Sequence, residues 1–124
     1  REETGLRAVL NYGHTFAHAF ESVTGYGELL HGEAVSIGML CASRLAERLG
    51  RFERQDTERQ ATLLQNLGLP VTVPPVDHES VLRAFHSDKK SEENNLRFIL
   101  PSRIGKVELV EHIDPQDALG ALVG

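Results

Sequence analysis

Three of the six histidines in this 124-residue sequence, His14, His18 and His31, lie within eighteen residues of one another. His14 and His18 are four residues apart, so on a helix they share one face, with Cβ atoms about 5–6 Å apart. Such a pair can share a divalent metal, or one imidazole can bind metal while the other binds substrate. Glu21 follows on the same face as a carboxylate that could orient an imidazole. The spacing alone leaves a purely structural or exposed histidine pair as the alternative.

Polar residues precede His14 on the same predicted helix, with Asn11 one turn and Arg7 two turns before it. A guanidinium, an amide and two imidazoles on neighbouring faces can hold an anionic, hydroxylated substrate against a metal. A solvated helix face is the alternative. The other three histidines have no partner at ligand spacing and are predicted at the surface or at helix ends: His78, His86 and His112.

The elements that must position these residues follow from hydrophobic spacing. Apolar residues recur every three or four positions from Leu6 to Val23, which predicts a helix that Gly13 interrupts. Residues Thr24 to Leu30 contain two glycines and are predicted as a loop. A second helix is predicted from Gly32 to Leu49, with one apolar stripe, and Gly50 is predicted to stop it.

Further helices are predicted from capping residues. Asp56 is predicted to cap a third helix that runs to Leu67 and stops at Gly68, and Asp77 to cap a fourth. A connector at 71–76 separates them.

The last third of the sequence predicts a small β-hairpin. A short strand is predicted from Leu96 to Leu100, ending at Pro101, with a turn at 103–106 and a second strand from Val107 to Val110. Asp114-Pro115 then predicts the cap and first turn of a last helix. The sequence therefore predicts a single mainly α domain over residues 1–124, with one β-hairpin.

Composition excludes several classes of partner. Thirteen basic against eighteen acidic residues give a formal net charge of −5, with no basic cluster, so nucleic acid is not an expected partner. No apolar run is long enough to cross a membrane and no signal peptide is visible. Cys41 is the only cysteine and is predicted to be a core residue, which fits a cytoplasmic protein without disulfides.

Two sequence motifs, LNYGHTFAHAFE at 10–21 and LHGEAV at 30–35, resemble the 3-dehydroquinate synthase family. Gly38-Met39 completes the second motif, and Asp88-Lys89-Lys90 resembles the family's DKK element. The resemblance covers nearly the whole chain. Ala17 departs from the usual glycine between the two histidines, and is interpreted as tolerated variation because Ala is the smallest substitute. Residues 91–95 also lack the glycine that usually follows DKK.

The resemblance implies roles for individual residues. It implies that His14 and His31 are two of three ligands for a catalytic zinc or cobalt ion, the third being a glutamate in a segment that this chain lacks. Spacing alone would instead pair His14 with His18. The resemblance assigns His18 to the phosphate of the substrate. It also implies that the remaining site residues gather the substrate's carboxylate and phosphate: Arg7, Asn11 and Lys89. Which of Lys89 and Lys90 faces the site is left open.

The resemblance also implies a reaction and a larger protein. The family converts 3-deoxy-arabino-heptulosonate 7-phosphate into 3-dehydroquinate and phosphate, with NAD used and regenerated in each turnover. No GxGxxG loop occurs in this sequence, so NAD is expected to bind mainly to an α/β Rossmann-like N-terminal domain from which this helical C-terminal domain is detached. The chain alone is expected to be inactive, and the complete protein is expected to be a homodimer like many family members. The alternatives are another sugar-phosphate cyclase, a metal-dependent alcohol dehydrogenase of similar architecture, or a non-catalytic zinc-binding helical module.

Overall fold

The computed structural model describes residues 14–24, 31–74, 76–86, 96, 98–103 and 106–122. Six residues are described by their backbone alone: His14, Thr24, His31, His86, Arg103 and Lys106. The elements in chain order are α1 (His14–Thr24), α2 (His31–Arg48), α3 (Arg54–Asn66), α4 (His78–His86), β1 (Phe98–Arg103), β2 (Lys106–Val110) and α5 (Pro115–Gly120). The described part of the chain is therefore mainly helical with a small hairpin, as predicted. Its helices include none with the length and apolar character that a membrane span requires.

Helix α2 lies at the centre of the fold, in contact with α1, α3, α5 and β1. Its buried side chains are found on several sides of the helix: Ile37, Leu40, Cys41, Ala42 and Leu45. The single stripe predicted for this helix consists of Val35, Met39, Ala42, Leu45, Ala46 and Leu49. It was too narrow, because Ile37, Leu40 and Cys41 lie outside it and are buried as well. A helix surrounded by other elements buries more than one face.

Cys41 belongs to this central core, as predicted. Its side chain is fully buried, and burial raises the pKa of the thiol to about 12. A thiol with so high a pKa stays protonated and packs as a small hydrophobic side chain.

An aromatic cluster joins α1 to α4 and β1. The ring centroids of Phe16 lie 5.5 Å from Phe85, edge to face, and 5.0 Å from Phe98. Phe85 and Phe98 are 5.4 Å apart, again edge to face, and Phe20 packs 6.4 Å from Phe16. These separations fall in the favourable range for aromatic pairs, so the cluster fixes α1 against the rest of the domain.

Two glycines end α2 and α3 in the same way. Gly50 has φ +75° and Gly68 has φ +81°. After α2, the Gly50 N–H donates to the Glu47 carbonyl at 3.0 Å and the next N–H donates to the Ala46 carbonyl at 2.8 Å. The equivalent pair of bonds, 2.9 and 3.0 Å, follows α3. Both are Schellman motifs, which need a left-handed residue at the stop position, and both predicted stops are confirmed.

Aspartates cap α4 and α5 as predicted. The Asp77 carboxylate accepts from the Ser80 backbone N–H at 3.2 Å and from the Ser80 hydroxyl at 2.9 Å. These bonds, led by the Ser80 hydroxyl, lower the pKa of Asp77. The Asp114 carboxylate accepts from the Gln116 N–H at 2.9 Å, and Pro115 occupies the first helical position.

The predicted cap of α3 was wrong. The helix begins at Arg54, with Glu53 at the cap position, and the Glu53 side chain makes no capping hydrogen bond. Asp56 lies in the first turn, where a carboxylate interacts favourably with the positive end of the helix dipole. An aspartate at the cap and one in the first turn give the same sequence signal, which explains the error. Helix α2 likewise begins one residue before the predicted start, at His31.

The hairpin is longer than predicted. β1 starts at Phe98 and continues through Pro101 to Arg103, and Lys106 already belongs to β2. Pro101 pairs with Val107, and the register shifts between Pro101 and Arg103. In a two-stranded sheet each strand has an open edge, so a proline without an N–H can remain in the strand beside an irregularity. The predicted strand end at Pro101 was therefore wrong. The turn predicted at 103–106 agrees with the pairing, because Arg103 and Lys106 are the last partners of the two strands.

Candidate functional site

Helix α1 presents one polar face away from the core. His18 and Ser22, one turn apart, are exposed, whereas Phe16 and Phe20 are fully buried. Since the aromatic cluster holds the apolar face, the orientation of α1 places His18 on the outer side. This agrees with the polar face predicted from the sequence.

Ala17 is fully buried and not part of the face that carries His18. The methyl group that this chain has in place of the usual glycine is thus accommodated inside the protein. The interpretation of Ala17 as a tolerated substitution is consistent with this position.

The other histidine motif forms the first turn of α2. His31 is its first residue, and Glu33 is the acidic residue of that turn. Gly32 is exposed, and a Cβ added there would meet nothing within 4 Å. The first-turn N–H groups and the positive end of the helix dipole lie here, so this end of α2 can attract an anionic group.

The structure brings the helices that carry the two motifs into contact. α1 begins at His14, α2 begins at His31, and the two helices pack against each other. The side chains of both histidines lie outside the described residues. Within the described ranges, no group of three or more His, Cys, Asp or Glu side chains could hold a metal ion.

Three further predicted site residues, Arg7, Asn11 and Lys89, lie outside the described residues. Their roles, the ligand pair of His14 and His31, and the phosphate contact of His18 remain predictions. Of the six predicted site residues, His18 is the one whose side-chain environment the structure describes.

The comparison with protein families identifies the origin of both motifs. A family described as "3-dehydroquinate synthase C-terminal" matches residues 1–91. The chain belongs to this family. The matched region contains all six predicted site residues, and it extends from before α1 to the end of the DKK element.

Curated relatives in the 3-dehydroquinate synthase C-terminal family match almost the entire chain. The 3-dehydroquinate synthase of Nostoc punctiforme is 48% identical over 119 residues, covering 95% of this chain and 32% of the relative. That of Synechococcus sp. is 44% identical over 121 residues, covering 98% of this chain and 33% of the relative. The chain thus spans about a third of the length of these relatives.

Solved structures of two other synthases share the fold. A 2-epi-5-epi-valiolone synthase from Streptomyces hygroscopicus, with NAD+ and Zn2+ bound, superposes with a TM-score of 0.78 at 29% identity. The superposition covers 91% of this chain and 31% of that synthase. A 2-deoxy-scyllo-inosose synthase complexed with carbaglucose-6-phosphate, NAD+ and Co2+ gives a TM-score of 0.76 at 28% identity, with coverages of 90% and 32%.

Proposed function

We propose that the complete protein carrying this chain is a 3-dehydroquinate synthase. It would convert 3-deoxy-arabino-heptulosonate 7-phosphate into 3-dehydroquinate and phosphate. The observation that carries the proposal is the family match over residues 1–91, which includes every predicted site residue. Identity to 3-dehydroquinate synthases, 44–48%, exceeds the 28–29% identity to synthases named for other products, which favours this substrate.

His14 and His31 would hold zinc or cobalt, with a glutamate outside this chain as the third ligand. Imidazole nitrogens suit both metals, and the two solved synthases have Zn2+ or Co2+ bound. The seven residue steps from Thr24 to His31 span at most about 25 Å. That exceeds the roughly 15 Å length of α1, so the connection is long enough for His31 to return beside His14. A bound metal would hold the hydroxyl that is oxidised and stabilise its developing negative charge.

The remaining residues would bind and orient the substrate. His18, on the exposed face of α1, would contact the phosphate, and Arg7, Asn11 and Lys89 would gather the carboxylate and phosphate. Fixed cations of this kind offset the charge of these two anionic groups before reaction and need little rearrangement during it. NAD would bind chiefly to residues outside this chain.

The test is a phosphate-release assay on the complete protein, with the organic product identified by mass spectrometry. A metal ion contributes several kcal/mol, so His14→Ala and His31→Ala should each lower kcat/KM by roughly a thousandfold or more and remove bound metal. His18→Ala should keep the metal and lower kcat/KM roughly ten- to a hundredfold, as expected for a lost charge-assisted hydrogen bond. His78→Ala, at the exposed start of α4, is the matched control and should keep both the kcat/KM and the bound metal of the wild type.

The same assay separates the alternatives. A cyclic product other than 3-dehydroquinate would favour a different sugar-phosphate cyclase. This is the second candidate, because the two solved synthases with the same fold are named for other products. Bound metal without phosphate release would favour the zinc-binding module. The 124-residue chain alone should release no phosphate and bind zinc weakly, because the proposed third ligand and the nucleotide site are elsewhere.

A further inference from the structure

A groove of about 250 Å³ lies between α2, α3 and the C-terminal end of α5. Arg44, Glu47 and Arg48 line it from α2, and Thr57 and Ala61 line it from α3. Arg44 is thirteen residues beyond His31 on the same helix, or about 20 Å along its axis. None of the residues in the groove has a role in the function proposed above.

Two opposite charges in this groove have no ion-pair partner among the described residues. Arg48 pairs with Asp117 at 3.3 Å and Arg54 pairs with Glu58 at 3.3 Å. Arg44 and Glu47 are half-buried, and neither forms an ion pair with the residues that the structure describes. They are three residues apart on α2, with Cβ atoms about 5–6 Å apart. The groove thus offers one available cation next to one available anion.

A buried hydroxyl in the same groove also lacks a partner. Thr57 is 7% exposed, and its Oγ1 has no hydrogen-bond partner in the described structure. The two buried serines of α2 differ: Ser36 donates to the Pro70 carbonyl at 2.8 Å and Ser43 donates to Gln60 Oε1 at 2.7 Å. Buried hydroxyls are normally satisfied. Rotation about χ1, for which a helical threonine has two rotamers, can exchange the Thr57 hydroxyl and methyl group at the groove wall.

The remaining side chains that line the groove are apolar or already form ion pairs. Leu40 is 1% exposed and forms one wall together with Ala61. The guanidinium of Arg48 covers Gly120, since a Cβ added there would lie 2.6 Å from Arg48 Cζ. Arg48 is therefore held between Asp117 and the end of α5, and Arg44 remains the cation available to a ligand.

We propose that this groove binds a small zwitterion of the free α-amino-acid class. The ligand carboxylate binds the Arg44 guanidinium and accepts from the Thr57 hydroxyl, and its ammonium group binds the Glu47 carboxylate. An aliphatic side chain then packs against Leu40 and Ala61. A simple anion fits less well, because Arg48 and Arg54 are already neutralised and Glu47 would repel it.

The test is calorimetric titration of the complete protein with L-leucine and two analogues that each lack one charge. N-acetyl-L-leucine has no ammonium group and L-leucinamide has no carboxylate. L-leucine should bind saturably, and each analogue at least about tenfold more weakly, since each loses one charge-assisted contact.

Variants assign each charge to its partner. Arg44→Gln should lower the affinity for L-leucine about tenfold and leave the affinity for L-leucinamide unchanged. Glu47→Gln should lower the affinity for L-leucine and leave the affinity for N-acetyl-L-leucine unchanged. Arg59→Gln and Glu53→Gln are matched controls on exposed positions outside the groove lining and should bind L-leucine like the wild type. Thr57→Val preserves the side-chain shape and should lower the affinity for L-leucine several-fold.

The proposal fails if L-leucine shows no saturable binding to the complete protein, or if it binds equally to the wild type and to both charge variants. N-acetyl-L-leucine binding as tightly as L-leucine would also overturn it, in favour of an anion site. His14→Ala should leave L-leucine binding intact, so a failure of the proposed enzymatic function is distinguishable from a failure of this site.

Discussion

His112 has an unusual backbone conformation, with φ 58° between β2 and α5. Its side chain is exposed. Just beyond it, the Ile113 N–H donates to the Leu96 carbonyl at 3.1 Å, and Asp114 caps α5. The left-handed residue therefore turns the chain from the hairpin into the last helix. For a residue with a Cβ this conformation costs free energy, of the order of 1–3 kcal/mol.

Replacing His112 with glycine should therefore stabilise the chain. Relief of the strain exceeds the extra entropy that glycine gains in the unfolded state, so His112→Gly should raise the free energy of unfolding by about 0.5–1 kcal/mol. Urea denaturation measures this change. His112→Ala is the control for loss of the imidazole and should give no gain. Equal stability of the two variants would mean that the backbone at residue 112 is not strained.

The histidines of the candidate site show what single residues can reveal. The exposed face of His18 follows from helical periodicity around Phe16 and Phe20, which the sequence contains in full. The proposed pairing of His14 with His31 does not follow from periodicity, because it depends on how one helix returns beside another. Spacing favoured His14 with His18, and only the family motifs indicated the other pair. Arg44, Glu47 and Thr57 gave no signal, because each is an ordinary helical residue whose significance depends on its neighbours in space.

At the scale of elements, local signals were reliable where one residue determines the geometry. Gly50 and Gly68 ended their helices because only a residue tolerant of positive φ suits a Schellman stop, and Asp77 capped α4. The strand through Pro101 was missed because its extent depends on pairing with β2 some residues later. The bounds of α3 were shifted because Asp56 can serve either at a cap or in the first turn.

The Asp77 cap should make the stability of α4 depend on pH. The pKa of Asp77 is lowered in the folded state, relative to about 3.9 in an unfolded chain. The cap therefore contributes its full stabilisation above about pH 4, and this contribution is lost as the pH falls through the lowered folded pKa.

Asp77→Ala should lower the melting temperature at pH 7, because the Ser80 N–H loses its acceptor. The difference from the wild type should shrink below pH 4, as the wild-type carboxylate becomes protonated. Thermal melts by circular dichroism between pH 3 and pH 7 measure both effects. Ser102→Ala, at a half-buried position on β1, is a control without a capping carboxylate and should keep a constant offset. A constant offset for Asp77→Ala as well would argue against the capping role.

At the scale of the whole molecule, one aromatic cluster holds together elements that are distant in sequence. Phe16, Phe85 and Phe98 come from α1, α4 and β1, and each ring lies within 5.5 Å of the other two. Because α1 also carries His14 and His18, the position of the candidate site depends on this cluster. The mainly helical class was predictable from periodicity, but the convergence of these three rings was not, because they are separated by up to 82 positions.

Truncation of Phe16 should therefore destabilise the entire domain. Phe16→Ala should cost about 3–5 kcal/mol, a large part of the roughly 5–15 kcal/mol that stabilises a typical domain. Leu63→Ala, at a side chain that is 58% exposed, is the control and should change stability by less than about 0.5 kcal/mol. Urea denaturation followed by circular dichroism compares them. A cost for Phe16→Ala as small as that of Leu63→Ala would contradict the central role of the cluster.

The buried thiol in the middle of α2 can report how often the core of the chain opens transiently. Cys41 is the single cysteine in the sequence and is fully buried, so a thiol-specific dye can react with it only in molecules that have transiently opened. The labelling rate, divided by that of the denatured chain, then gives the fraction of open molecules directly. One dye thus suffices to follow how temperature, denaturant or added metal ions change the opening of this core in the 124-residue chain, without introducing any probe by mutation.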